Sequence, residues 1–526
     1  MSALLLAPST SFEWVDLRQP FSNFRFVEKR FGDFPAIRRL FSQSRVFGGK
    51  TLLIEDVPAV GSVASENEDL CERFPRYEMR GLKRLTFWAR SIRSESELSH
   101  TENRHLLGYA ILKHDHVSGS DTQTVRDRWH VFESVFVKYP HSHNYVPNAK
   151  TFCVRVGKDQ PKLFAVQGAI YCQQNGLNKA CAQVALRSLC AQHLDEDRVT
   201  YRRIHELALR AIGSNFDPAK GLNSTQIRAV LDGFSIGYDD VDYLASPKKD
   251  RAQIRKDYPY QKFLYAGMES GGGALLGFEF AGSGAKNEKH IIPFHGHTFN
   301  ADTWVPHAEA AYFHVGDDTK YLPSEAWVSS FIGHDDNFGS NFCVPRLYVT
   351  REQVQYVAGL RPTGARYGGV VAEAIATDYL YSILPNLDAA ANEWLQRLLY
   401  YTSKQEVTLR AVAVTLAQYV QYLRQVRDWD MNRENLRICR FLGECPVDRL
   451  WMVEISLPQL FPANQRKLGE IIFDATAAAS SRIDFATFLF ARVPGVFLFL
   501  NGLRERKPDF LKLRSRLASH TPLFSG

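Results

Sequence analysis

From 12 to about 167 the chain alternates short apolar, aromatic-rich runs with polar breaks, as at 106–112, 129–137 and 151–156. That period of two predicts strands, since successive side chains of a strand face opposite sides. The Ser/Glu-rich breaks at 61–69 and 91–103 read as exposed loops. Between 173 and 346 the texture changes to helices first and Gly-punctuated strands afterwards. Residues 180–193 put Val184, Ala185, Leu186 and Leu189 on one helical stripe, and 223–231 opens with an Asn-Ser-Thr cap. After a charged loop at 246–256 come apolar runs at 263–266, 274–280, 290–294 and 327–332. A helix layer followed by strands predicts an α+β unit with an antiparallel sheet.

From 348 onward helical patterns dominate, at 370–384, 391–401 and 407–426, before a mixed segment at 451–500. The apolar stretch 485–500 is interrupted by Arg492 and Pro494 and falls short of the ~20 residues a membrane helix needs, so it predicts two buried strands around a Pro-Gly turn. The chain divides into a β-rich N-terminal domain (1–167), an α+β domain (168–346) and a mostly helical α/β C-terminal domain (347–526). A length of 526 residues, against about 150 per domain, agrees with several units.

Composition removes whole classes. With 45% hydrophobic and 23% charged residues, the chain is neither disordered nor fibrous. The net charge of +7, from 64 basic and 57 acidic residues, is too small to imply a nucleic-acid partner. The basic tail 504–516 reads as a solvated surface. Eight cysteines with no CxxC pair or zinc spacing suit a reducing, cytoplasmic compartment, and the first twelve residues lack the basic region of a secretory signal.

One stretch carries chemistry. Gln173-Gln174-Asn175-Gly176-Leu177-Asn178-Lys179-Ala180 is a Gly/Asn-rich loop that delivers Cys181 to the first turn of an apolar helix. Unpaired N–H groups and the positive end of the helix dipole favour a thiolate there. A carboxamide upstream, Gln174 or Gln173, with the backbone N–H of Cys181, makes a candidate oxyanion hole. Further on stands His290-Ile291-Ile292-Pro293-Phe294-His295-Gly296-His297, preceded by Gly271-Gly272-Gly273 and an apolar run. The glycines lack the Lys-Ser/Thr of a phosphate loop and imply close backbone approach, as to an extended substrate. His295-x-His297, near His307, His314 and the pairs Asp317/Asp318 and Asp335/Asp336, is a weak metal pattern, so neither metal nor cofactor is expected.

In this order of features the segment 173–345 resembles the papain-like cysteine peptidases, and within them the branch of the bacteriocin leader peptidases. The order is a Gln-loop-Cys-helix, a second helix, a Gly-led strand, a strand of the form His, apolar residues, Gly, and then an acid. The resemblance implies a papain-like core, a helix layer on an antiparallel sheet. It assigns nucleophilic attack to Cys181, proton exchange to His290, orientation of the imidazole to Asp335 or Asp336, and oxyanion binding to Gln174. Asn300 and Asp302 read as loop residues, with Asp302 a reserve acid. The chain departs from the pattern at two places: Asn175 stands six residues before Cys181, where the family places Gln, and Ala182 follows the cysteine where Gly is common.

The expected function is that of a bacterial, cytoplasmic cysteine peptidase acting on a peptide or protein. Its flanking domains would select the substrate or restrain the site until a regulatory protein engages. A transamidase or deamidase on the same triad, and an inactive interaction scaffold, are the alternatives.

Overall fold

The computed structural model describes residues 2–18, 22–118, 126–137, 144–147, 149–213, 221–281, 287–299, 321–387, 392–425, 440, 442–443, 447–461, 466–478, 487–500 and 510–514. Within them the protein is α+β, with helices set on and between three seven-stranded sheets.

The N-terminal sheet holds β1 (Ser11–Asp16), β2 (Thr51–Asp56), β3 (Tyr77–Trp88), β4 (Leu106–Val117), β5 (Arg126–Phe136), β7 (Lys150–Val156) and β8 (Lys162–Tyr171), in the order β1-β2-β3-β4-β5-β8-β7, all antiparallel. The short β6 (Asn144–Tyr145) leaves it to pair with the next sheet. One face packs on the helices Asn23–Phe31 and Pro35–Val46, with Val27, Ile37 and Leu40 against Leu52, Phe87 and Leu112. The opposite face joins Tyr109, Phe132 and Val135 to Leu186 and Leu189 of the helix Cys181–His193. The polar break at 61–69, expected as a loop, is instead part of the helix Ser62–Arg73. Its Glu66 faces inward onto Lys113 and Lys179, so a residue that looks solvated in the sequence is buried.

The middle sheet holds β9 (Tyr238–Asp242), β10 (Ala274–Ala281), β11 (Asn287–Phe299), β13 (Val328–Asp335), β14 (Gly339–Pro345) and β15 (Val354–Leu360), in the order β14-β13-β11-β10-β15-β9, with β6 on β11. Strand β15 lies beyond the expected boundary at 346, and β8 runs past the one at 167. The helix Cys181–His193 sits between this sheet and the N-terminal one, and every residue from Ala182 to Ala191 is buried. A helix buried all round needs no polar face, which is why the sequence shows only a partial stripe.

Two expectations for this region are corrected. The run 263–266 belongs to the helix Tyr260–Glu269, and the charged stretch 246–256 contains most of the helix Arg251–Asp257. The close backbone approach expected of Gly271-Gly272-Gly273 is made to a neighbouring strand: a Cβ on Gly272 would stand 2.4 Å from the Leu360 carbonyl oxygen, which β15 cannot withdraw cheaply. Gly272→Ala is therefore expected to destabilise the protein by about 1–3 kcal/mol. Urea unfolding checks this, with a lowered midpoint at unchanged slope.

The C-terminal sheet holds β12 (Leu322–Pro323), β16 (Thr408–Thr415), β17 (Arg449–Ser456), β18 (Gly469–Asp474), β19 (Phe488–Val493), β20 (Val496–Leu500) and β21 (Phe510–Arg514), in that order. β12 is parallel to β16, and the rest are antiparallel. The pattern at 407–426, expected as one helix, divides into β16 and the helix Leu416–Gln425. Leu409 and Ala411 fill one core while Val412 and Val414 fill another, and a strand buried on both faces loses its two-residue alternation. The region expected to be mostly helical is thus built on a sheet. The Pro494-Gly495 turn joins β19 to β20 as expected, with Gly495 at φ 80°.

A run of buried charges crosses from the middle sheet into the C-terminal one. Glu269 accepts from His297 (2.7 Å) and Arg410 (2.6 Å). Arg410 reaches Glu454 (2.9 Å), and Lys467 bridges Glu454 (2.7 Å) and Glu470 (3.3 Å). Among the described residues no helix is long and apolar enough to cross a membrane.

Candidate functional site

Cys181 is the first residue of its helix, preceded by Ala180 in extended conformation. Alanine has no oxygen with which to cap the first turn. The Gln183 side chain accepts from the Ala180 N–H at 3.3 Å, but no side chain caps the helix from Ala180. The positive end of the dipole is thereby left beside the sulfur.

The loop ahead of it is fixed from within and from outside. Asn175 Oδ1 accepts from the N–H groups of Leu177 (2.9 Å) and Asn178 (3.2 Å), and its amide nitrogen donates to Asn178 Oδ1 at 2.9 Å. Asn175 therefore builds the turn, and Gly176 takes the left-handed φ of 67° within it. From the N-terminal sheet, Arg126 donates to the Gly176 carbonyl and Arg128 to that of Gln174 (3.0 Å). Lys179, fully buried, pairs at 2.8 Å with Glu66, which also takes Lys113 at 2.6 Å. Burial pulls the Glu66 carboxyl upward, but the two ammonium groups outweigh it and hold Glu66 ionised.

His290 lies on β11, with Phe278 opposite it on β10 and their rings edge to face at 5.8 Å. Its Nε2 stands 3.3 Å from Asp335 Oδ2 and 3.4 Å from Asp336 Oδ1, and the ring shares its cleft with the Cys181 thiol. Burial acts to lower the imidazole pKa. The hydrogen bond with Asp335, the neighbouring Cys181 thiol and the charges of both carboxylates override it, and the group is pushed up to about 10.

The two acids differ. Asp335 ends β13, and its Oδ1 accepts from the N–H groups of Asn337 (2.9 Å) and Phe338 (3.3 Å). Burial raises its pKa, but the hydrogen bond and charge of His290 and these backbone donors bring it below the usual carboxylate value. Asp336 is pushed up to about 7, first by burial and then by Asp335, with His290 opposing. Helix Pro35–Val46 secures the turn that carries them: Arg39 donates to the carbonyls of Ser340 (3.2 Å) and Asn341 (2.9 Å), and Gln43 to that of Ser340 (2.7 Å).

Cys181 and His290 open onto a cleft of about 490 Å³ lined also by Asn223, Asp242, Phe278 and Tyr356. No protein-family model, curated protein or solved structure matches this chain. The site therefore stands on its own geometry.

The structure brings together four of the residues singled out in the sequence, Cys181, His290, Asp335 and Asp336. Gln174 is placed on the acid side: its amide nitrogen donates to Asn337 Oδ1 at 2.8 Å, and it does not line the cleft. Gln173 is buried, with its side-chain oxygen on the Val131 N–H at 2.8 Å. His295 and His297 take separate partners, the ring of His334 at 4.3 Å and Glu269. Asn300, Asp302, His307, His314, Asp317 and Asp318 lie outside the described residues. Among the described residues, the side chains gathered closely enough to share one cation are His290, Asp335 and Asp336. Glu66, Lys179, Arg39 and Gln43 are parts of the site that sequence reasoning passed over. Lys179, two residues ahead of Cys181 on an otherwise uncharged loop, was the available signal.

Proposed function

We propose that the chain is a thiol hydrolase of the papain-like kind that cleaves a peptide or protein through Cys181, His290 and Asp335. One observation carries the reading: a cysteine at a helix start lines the same cleft as a histidine on a sheet strand, and a carboxylate from a third element stands at the ring's Nε2. In this mechanism Cys181 passes its proton to His290 and its sulfur attacks the substrate carbonyl in the cleft. His290 then gives the proton to the leaving amine, and water releases the acyl group by the reverse sequence. Asp335 keeps the imidazole oriented and stabilises its charge. The N–H of Cys181, at the uncapped helix end, is the natural donor to the oxyanion, and Gln174 would reach it only by leaving Asn337.

The N-terminal domain enters this reading as a structural part of the site, because Glu66, Arg126 and Arg128 hold the cysteine loop and Arg39 and Gln43 the acid turn. A reducing cytoplasm suits a nucleophile that must stay a free thiol.

Product analysis tests the reaction. An unfolded protein such as casein, incubated with the full chain and mapped by mass spectrometry, is expected to show new termini with one water added per cut. The cuts should be absent with Cys181→Ala. Intact chains carrying altered Gln side chains would instead assign a deamidase or transamidase.

A further inference from the structure

Asp336 has no task in that mechanism. Its carboxylate is 5% exposed, and neither oxygen has a hydrogen-bond partner. A carboxylate buried without donors is unfavourable as an anion, and proteins relieve it by protonation, by pairing or by a metal. Its surroundings favour the metal. His290 Nε2, Asp335 Oδ2 and Asp336 Oδ1 lie within 4.8 Å of one another, with Nε2 at 3.3 and 3.4 Å from the two oxygens. Charge-assisted N–H···O bonds run about 2.7–2.9 Å, so both contacts are long for that purpose. Two atoms bound tetrahedrally to one Zn²⁺, at about 2.0–2.1 Å each, stand about 3.3–3.4 Å apart. One imidazole and two carboxylates form the mixed N/O set of a borderline transition ion and offer too few oxygens for Ca²⁺.

We propose that His290, Asp335 and Asp336 form a binding site for a divalent transition-metal ion, Zn²⁺ by its ligand set, and that the bound ion silences Cys181. An ion on Nε2 takes the place of the carboxylate that steadies the imidazolium, and its positive charge makes the ring a poor base for the thiol proton. The silencing rests on the hydrolase reading, whereas the metal site does not.

Chelator-treated full-length protein, titrated with ZnCl₂ by calorimetry, is expected to take one ion per chain. Asp335→Asn and Asp336→Asn should each weaken binding at least tenfold, and Cys181→Ala should bind like the unmodified chain. Far-UV circular dichroism establishes that the variants fold. Should either acid variant unfold, Co²⁺ on the unmodified chain decides, giving visible bands of a low-coordinate N/O site without sulfur-to-cobalt charge transfer. No binding at one equivalent, or a charge-transfer band lost in Cys181→Ala, overturns the site. One equivalent of Zn²⁺ should slow iodoacetamide modification of Cys181 at least tenfold relative to Cys71 and Cys343, with recovery in EDTA. An unchanged rate with the ion bound overturns the silencing. Failure of Cys181 to react in the metal-free protein counts against the hydrolase reading alone.

Discussion

Cys181→Ala and His290→Ala are each expected to lower kcat/KM on a cleaved substrate by about four to six orders of magnitude, and the double variant should be little worse than either alone. In the proposed mechanism the two side chains act in one step, proton transfer from sulfur to imidazole, so removing either abolishes it. Asp335→Asn should cost about 10⁴-fold, because an amide can hold the ring in the wrong tautomer and leaves the imidazolium unstabilised. Asp336→Asn should cost far less. Asp335 makes the hydrogen bond to His290 and is braced by two backbone N–H groups, whereas Asp336 has neither. The ratio of the two asparagine variants, from initial rates, identifies the orienting acid.

Glu66→Ala is expected to have the largest effect on stability. It leaves the ammonium groups of Lys113 and Lys179 buried together, with Asp115 beside Lys113 at 3.1 Å and no carboxylate between them. Removing one partner of a buried ionic group costs about 3–5 kcal/mol. Because Lys179 anchors the chain two residues ahead of Cys181, the change should also reduce activity in the fraction that remains folded. Urea unfolding gives the first number, and rates normalised to folded protein give the second.

Much of the order of the candidate site was legible because the constraint is local. A Gly/Asn loop, an apolar helix and a cysteine at its first residue can be recognised without knowing what the helix packs on, and His290 directly precedes the apolar run of its strand. The acid pair was found but not ranked, since the difference between Asp335 and Asp336 lies in which carboxylate meets backbone N–H groups after the turn is folded. The supporting residues were illegible for a related reason. Glu66 sits in a Ser/Glu-rich run whose composition is that of a solvated loop, and only the packing of the helix Ser62–Arg73 against β3 and the buried Lys113 turns it inward. The C-terminal sheet was hidden in β16, where burial on both faces removes the alternation that marks a strand.

The reactivity of Cys181 itself tests the central claim most directly. With native, metal-free protein, brief exposure to sub-stoichiometric iodoacetamide followed by peptide mass spectrometry gives the modification rate at each cysteine. The account predicts that Cys181, though only partly exposed, reacts at least tenfold faster than the exposed Cys71 and Cys343, and that His290→Ala removes this advantage. A Cys181 that reacts no faster than those two, or one whose rate is indifferent to His290, would contradict it.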